Sequence, residues 1–172
     1  MGTIKYNIKN LNSNILILLY KSLVRPHLDY CAQVYSPYLK KDIKKLEDVQ
    51  RRATKLIPEY KNLNYETRLK KLGLTSLEKR RQRGDLIQTY KIVKKLENVK
   101  LVNSENWLSS RTLEEGGRNH QYRIRREIVK NCPARFNFLY NRVSNSWNSL
   151  KPFIVNSKNT NCFKNNIDKY LM

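Results

Sequence analysis

The stretch Leu19–Ile57, LYKSLVRPHLDYCAQVYSPYLKKDIKKLEDVQRRATKLI, decides the fold class. Its apolar residues recur every three or four positions, the repeat of an amphipathic helix rather than the two-residue alternation of a strand. Leu39, Ile43, Leu46, Val49 or Gln50, Ala53, Leu56 and Ile57 would share one face of a helix over residues 39–57. The other faces carry Lys40, Lys41, Lys44, Lys45, Arg51, Arg52 and Lys55, and Pro58 stops the pattern. Upstream, residues 12–25 read as a helix capped by Ser13 or Asn14, with Ile15, Leu16, Leu19 and Leu23 on one face. Pro26 restarts or kinks that helix, because proline fits best in a first turn. A short helix over 27–35, packed by Leu28, Cys31 and Val34, is expected to follow.

Working outward, Tyr65–Leu72 is a short helix with Gly73 where a left-handed C-cap belongs. Thr75-Ser-Leu-Glu78 has the spacing of a capping box and opens a longer helix to about Glu97, packed through Leu77, Leu86, Ile87, Tyr90, Val93 and Leu96. Residues 98–117 lose all periodicity and end in Glu-Glu-Gly-Gly, which marks them as a linker. Tyr122, Ile124, Arg126 and Ile128 share one parity over 121–129, a weak strand signal. Helical spacing returns over 136–150 with Phe136, Leu139 or Tyr140, Val143 and Trp147 on one face, and Pro152 ends it. Asn159 or Thr160 caps a last helix carrying Phe163, Ile167, Tyr170 and Leu171. The expected fold is mainly α: a helical bundle over 1–97, the linker 98–117, and a small mixed α(+β) C-terminal subdomain over 118–172.

Charge bounds the partners. The 172 residues hold 35 Lys+Arg against 14 Asp+Glu, a net charge of +21. Both parts contribute, with 22 basic and 9 acidic residues in Met1–Glu97 and 13 and 5 in Asn98–Met172. The excess is therefore spread over folded surface rather than confined to a tail. Self-repulsion of that size destabilises a compact state, and a polyanionic partner offsets it; nucleic acid is the expected one. A membrane partner is not expected, since the longest apolar run is only Ile15–Tyr20. The first dozen residues mix charge with Asn rather than forming an apolar signal core, so an intracellular location is expected. Cys31, Cys132 and Cys162 are odd in number and far apart, which suits buried, reduced thiols.

Catalytic patterns are missing. The aspartates Asp29, Asp42, Asp48, Asp85 and Asp168 never form the close pair that two-metal nucleotidyl transfer requires. Glu47 and Asp48 are adjacent but are placed to pair with Lys44, Arg51 and Arg52 along their own helix. No Gly-rich phosphate loop, G-x-S-x-G elbow or Cys/His cluster at ligand spacing occurs. Neither a metal nor a cofactor is expected, and the chain alone is not expected to be an enzyme.

The feature that remains is cationic surface. Lys41, Lys45, Arg52 and Lys55 form a stripe along one helix, with Lys44 and Arg51 beside it, and Arg80, Arg81 and Arg83 add to it from the next long helix. Such a stripe can follow a phosphate backbone without reading sequence, although a plain solvated face has the same composition. Arg123, Arg125 and Arg126 fit a second phosphate patch, or charges that blunt a strand edge. Tyr30, Tyr90, Trp147 and Phe163 sit at core spacing and are expected to pack.

The segments GTIKYNIKNL, LYKSLVRPHLDYC, LEDVQRRATKLI and LGLTSLEKRRQRGDLIQTYKIV resemble, in that order, the post-palm and thumb region of reverse transcriptases from jockey-like, non-LTR (LINE-type) retrotransposons. The segment RVSNSWNSLKPFIVNSKNTNCFKNNIDKYL resembles the closing region of the same polyproteins, through Trp147, Asn148, Leu150, Pro152, Phe163 and Lys164. Tyr35 stands where these proteins often carry Trp. The resemblance implies a thumb-like helical region that packs on an RNA–DNA hybrid or duplex DNA, and nuclear residence. It also implies a polymerase whose palm, with its Tyr-x-Asp-Asp strand, and whose endonuclease are not in this chain. The alternative expectation is an assembly module, whose apolar faces over 15–28 and 136–147 dock on a palm domain or a host protein.

Overall fold

The computed structural model describes residues 12–97, 99 and 120–171. Helix accounts for 64% of them and strand for 1%, with no sheet, so the chain is mainly α. It separates into two compact units, Met1–Arg81 and Gln82–Met172, and the division falls inside one helix. The expected linker over 98–117 lies outside the described residues except for Val99, as does the opening segment Gly2–Leu11.

In the first unit, α1 (Ser13–Leu19) is capped by Asn12, whose side chain accepts the Ile15 N–H at 2.9 Å. The cap lies one residue before Ser13. The chain then takes a π-wound turn, Tyr20–Val24, before α2 (Arg25–Asp29) restarts with Pro26 in its first turn. Pro26 has no N–H to continue the α-helical ladder, and a widened turn absorbs the break. The helix expected over 27–35 ends at Asp29, because Cys31 adopts a left-handed backbone (φ +48°) that no right-handed helix accommodates. Val34 and Tyr35 consequently face solvent instead of packing.

Helix α3 (Lys40–Thr54) follows, then a 3₁₀ turn at Pro58–Tyr60, then α4 (Tyr65–Lys71). Asn64 caps α4 by accepting the Thr67 N–H at 2.8 Å. At its other end Leu74 N–H reaches Leu69 O and Gly73 N–H reaches Lys70 O, with Gly73 at φ +58°. That is the double hydrogen bond of a Schellman cap, as the glycine's position predicts. Helix α5 (Leu77–Val93) is not opened by the expected Thr75/Glu78 box. Ser76 Oγ accepts the Lys79 N–H instead, and the Leu77 N–H is taken by Glu47 Oε2 at 2.9 Å, from a different helix.

Glu47 is therefore buried and makes no ion pair with Lys44, Arg51 or Arg52 among the described residues. It joins a polar network at the centre of the unit. The Tyr20 hydroxyl donates to Gln50 Oε1 at 2.6 Å, and Gln50 Nε2 donates to the Tyr65 oxygen at 2.8 Å and to Thr75 O at 3.0 Å. The Tyr65 hydroxyl in turn donates to Glu47 Oε1. Burial, then the Glu47 carboxylate, pushes the Tyr65 phenol up; burial, then Asp29, does the same to Tyr20, so both stay protonated donors. The purely apolar cluster beside this network is small, built on Leu16, Ile57 and Leu72.

The second unit is held by a larger apolar core. Helices α6 (Pro133–Phe136), α7 (Leu139–Asn148), α8 (Pro152–Val155) and α9 (Thr160–Leu171) join the remainder of α5. Leu86, Tyr90, Val143, Trp147, Phe163 and Ile167 form the centre of this core. Tyr90 stacks on Phe163 with centroids 4.2 Å apart and donates its hydroxyl to Ser157 O. Asp85 and Arg142 make a bidentate pair, both contacts at 2.8 Å, with little side-chain exposure. Asn159 caps α9 through the Cys162 N–H at 2.8 Å.

The expected mixed α(+β) character of this unit is not found. Ile124 is an isolated bridge residue, and among the described residues no strand pairs with the extended segment around it. Side chains of α7 take the backbone groups a sheet would have used. Asn148 Oδ1 accepts the Ile124 N–H and Asn148 Nδ2 donates to Ile124 O, both at 2.9 Å. Asn141 Oδ1 accepts the Glu127 N–H, and Trp147 Nε1 donates to Tyr122 O. An amide side chain offers the donor–acceptor pair of a peptide group, so Asn148 stands in for a neighbouring strand. The cysteines also depart from expectation: Cys132 and Cys162 are exposed and Cys31 is half-buried, all three as free thiols.

Candidate nucleic-acid interface

The basic residues are sorted by the faces of α3. Its inward face carries Glu47, Gln50, Ala53 and Thr54, which leaves Lys41, Lys44, Lys45, Arg51, Arg52 and Lys55 exposed. Beside this surface, Lys45, Asp48, Arg51, Arg52, Lys55 and Arg68 line an open concavity of about 440 Å³. The structure thus brings together four of the residues singled out by sequence, Lys45, Arg51, Arg52 and Lys55. Lys41 and Lys44 are exposed on the same helix and make no ion pair among the described residues.

Ion pairs neutralise this surface only weakly. Lys45 lies 3.4 Å from Asp42 and Arg51 3.9 Å from Asp48, with side chains half or more exposed on the basic side of each pair. Pairs of that exposure are worth about 0–1 kcal/mol. Arg52 Nε donates to the backbone oxygen of Asp48 at 3.3 Å, which aligns the side chain along the helix without cancelling charge. Asp48 is the one acid at the concavity, and it interrupts the stripe at the position between Lys45 and Arg52.

The floor holds the residue that sequence reasoning missed. Arg68, on α4, is only 3% exposed. Its Nε donates to Thr54 Oγ1 at 3.1 Å and its Nη1 to Leu63 O at 2.7 Å, both neutral acceptors. No carboxylate lies within ion-pair distance of it among the described residues. The Tyr65 ring gathers two cations, with Arg51 Cζ 4.2 Å and Arg68 Cζ 5.6 Å from its centroid. The available signal was periodicity: Tyr65, Arg68, Leu69 and Leu72 share one face of α4, and an arginine on an apolar face needs a reason.

The arginines of α5 are engaged inside the fold. Arg80 Nε contacts Asp29 Oδ2 at 2.6 Å, and Arg81 Nη2 donates to Leu28 O at 2.7 Å, fastening the start of α5 to α2. Arg83 belongs to the second unit, where it forms a two-bond pair with Asp168. That partner raises the Arg83 guanidinium pKa and holds the Asp168 carboxyl below its ordinary value. Arg123, Arg125 and Arg126 are all exposed, with Arg126 stacked over Phe136 at 4.1 Å. Of the aromatics, Tyr90, Trp147 and Phe163 are buried as expected, whereas Tyr30 is 77% exposed and packs against nothing that hides it.

In comparisons with known proteins, no family model, no curated protein and no solved structure matches the chain. Among the described residues no group of three or more His, Cys, Asp or Glu is placed to hold a metal ion. No helix among them is long and apolar enough to cross a membrane.

Proposed function

We propose that this chain is the thumb and post-thumb part of a LINE-type reverse transcriptase, and that it grips a primer-template duplex through Lys/Arg–phosphate contacts. The observation that carries the proposal is the concavity beside α3, where five basic side chains meet one carboxylate. A surface of that sign, on a chain of net charge +21, suits a backbone of regularly spaced phosphates. The ordered sequence segments supply the family, and the helical fold accommodates it. Polymerisation is assigned to a palm domain elsewhere in the parent protein, and nuclear residence accompanies this reading. Titrating the chain with an RNA–DNA hybrid, duplex DNA and single-stranded RNA tests the proposal. The hybrid is expected to bind more tightly than single-stranded RNA, and more tightly than it binds an equally basic control protein. Equal, weak binding to all three would overturn the proposal.

A second reading, a docking module for the palm domain or a host protein, is favoured by one feature of the first unit. Leu18, Leu23, Tyr30 and Tyr35 are all more than half exposed, and the last two reach 77% and 75%. Large apolar side chains left uncovered in one small unit are a common sign of a partner. Concentration-dependent self-association of the isolated chain would support this reading. A monomer with a single cooperative unfolding transition would count against it.

A further inference from the structure

Arg68 is a buried charge with no carboxylate partner among the described residues. An arginine that is only 3% exposed ordinarily has a carboxylate partner, because removing an unpaired ion from water is costly. Here its two hydrogen bonds go to a hydroxyl and a carbonyl, and its third nitrogen, Nη2, has no partner among the described residues. Nη2 is also not among the polar atoms sealed from solvent without a bond. Arg51, Arg52, Lys55 and Lys45 surround the same concavity. Asp48 is the one carboxylate set against these five cations, so most of their mutual repulsion is left for a further anion to offset.

We infer that the concavity is a phosphate subsite with Arg68 as its fixed anchor. The inference rests on the reading of this surface as a nucleic-acid interface and deepens it. One backbone phosphate enters the concavity rather than sliding along the helix. Thr54 and Leu63 O hold two edges of the guanidinium, so the planar fork is oriented before the ligand arrives and loses little freedom on binding. Arg51 is steadied over Tyr65, while Arg52 and Lys55 line the same concavity. The arrangement makes one phosphate position more strongly bound than the rest of the basic surface, and sets the register of the duplex on the protein.

The test compares charges inside and outside the concavity on the full chain. Arg52→Gln and Lys55→Gln are each expected to weaken hybrid binding about tenfold, the worth of a charge-assisted hydrogen bond. Lys41→Gln and Lys44→Gln, exposed on the same helix, are expected to cost about threefold or less. Arg68→Lys keeps the net charge and is expected to lose about tenfold with its melting transition still cooperative. Inorganic phosphate, compared with chloride at equal ionic strength, is expected to raise the melting temperature of the wild type more than that of the Arg52→Gln/Lys55→Gln double variant. This readout stays informative even if Arg68→Lys fails to fold. Equal losses at all four exposed positions, with no differential phosphate effect, would overturn the subsite while leaving the duplex-binding reading intact. Differential phosphate stabilisation without hybrid binding would support the subsite and overturn that reading instead.

Discussion

Lys95 follows α5 with a left-handed backbone, φ +56°, in the place that Gly73 takes after α4. Leu96 N–H reaches Lys91 O and Lys95 N–H reaches Ile92 O, so the cap geometry is the same, with a side chain where glycine is favoured. Lys95→Gly is expected to raise stability by about 0.5–1 kcal/mol in urea unfolding, whereas Gly73→Ala lowers it by about 1 kcal/mol. The glycine was legible in the sequence as a cap; Lys95 was not, because nothing in its residue type announces a positive φ. His120 offers a second handle. Its Nε2 lies 3.0 Å from Trp147 O, its ring meets the Trp147 ring edge-on, and its Nδ1 is buried without a partner among the described residues. Burial holds its pKa below the ordinary value, so the unfolded chain takes up this proton at a higher pH than the folded one. Stability is therefore lost as pH falls through about 6.5 and below. The melting temperature is expected to drop between about pH 7.5 and 5.5, and to drop less in His120→Gln, which keeps a donor for Trp147 O.

At the scale of elements, helices whose apolar faces are complete were legible, and those completed by polar groups were not. The spacing of Val143 and Trp147, or of Phe163 and Ile167, marks a buried stripe, and all four are buried. In α3 the inward face is partly Gln50, which spacing offers as an alternative to Val49, and partly Glu47, which the charge pattern assigns to water; its partners Tyr65 and the Leu77 N–H explain that burial. The strand reading over 121–129 failed for a related reason, since alternation records exposure on two sides of an extended chain but not what pairs with its backbone. Asn148 supplies that pairing, and Asn148→Ala strands the Ile124 N–H and carbonyl together. A loss of about 2–4 kcal/mol is expected in chemical denaturation. Asp48, expected to pair along its own helix, lies 3.9 Å from Arg51 and also lines the concavity, where its charge opposes an incoming phosphate. Asp48→Asn is expected to tighten hybrid binding about two- to threefold at low salt, as read by fluorescence anisotropy.

For the molecule as a whole, the charge balance governs both stability and partners. A net charge of +21 on 172 residues repels itself, and salt screens that repulsion. The melting temperature is expected to rise between about 0.02 and about 0.3 M salt, over the range in which nucleic-acid binding falls. The overall charge and helical class were written in composition and periodicity. The recess that concentrates part of that charge was not, because it depends on the burial of Arg68 beside Thr54 and Tyr65. The most direct test of the central claim is the slope of log K against log salt for hybrid binding, in the wild type and in a variant with Lys45, Arg51, Arg52 and Lys55 all changed to Gln. Each phosphate neutralised contributes about −0.9 to that slope. If these four side chains meet the backbone, the variant's slope is shallower by roughly 3–4 units. An unchanged slope would contradict the account, and would place whatever binds this protein on some other face.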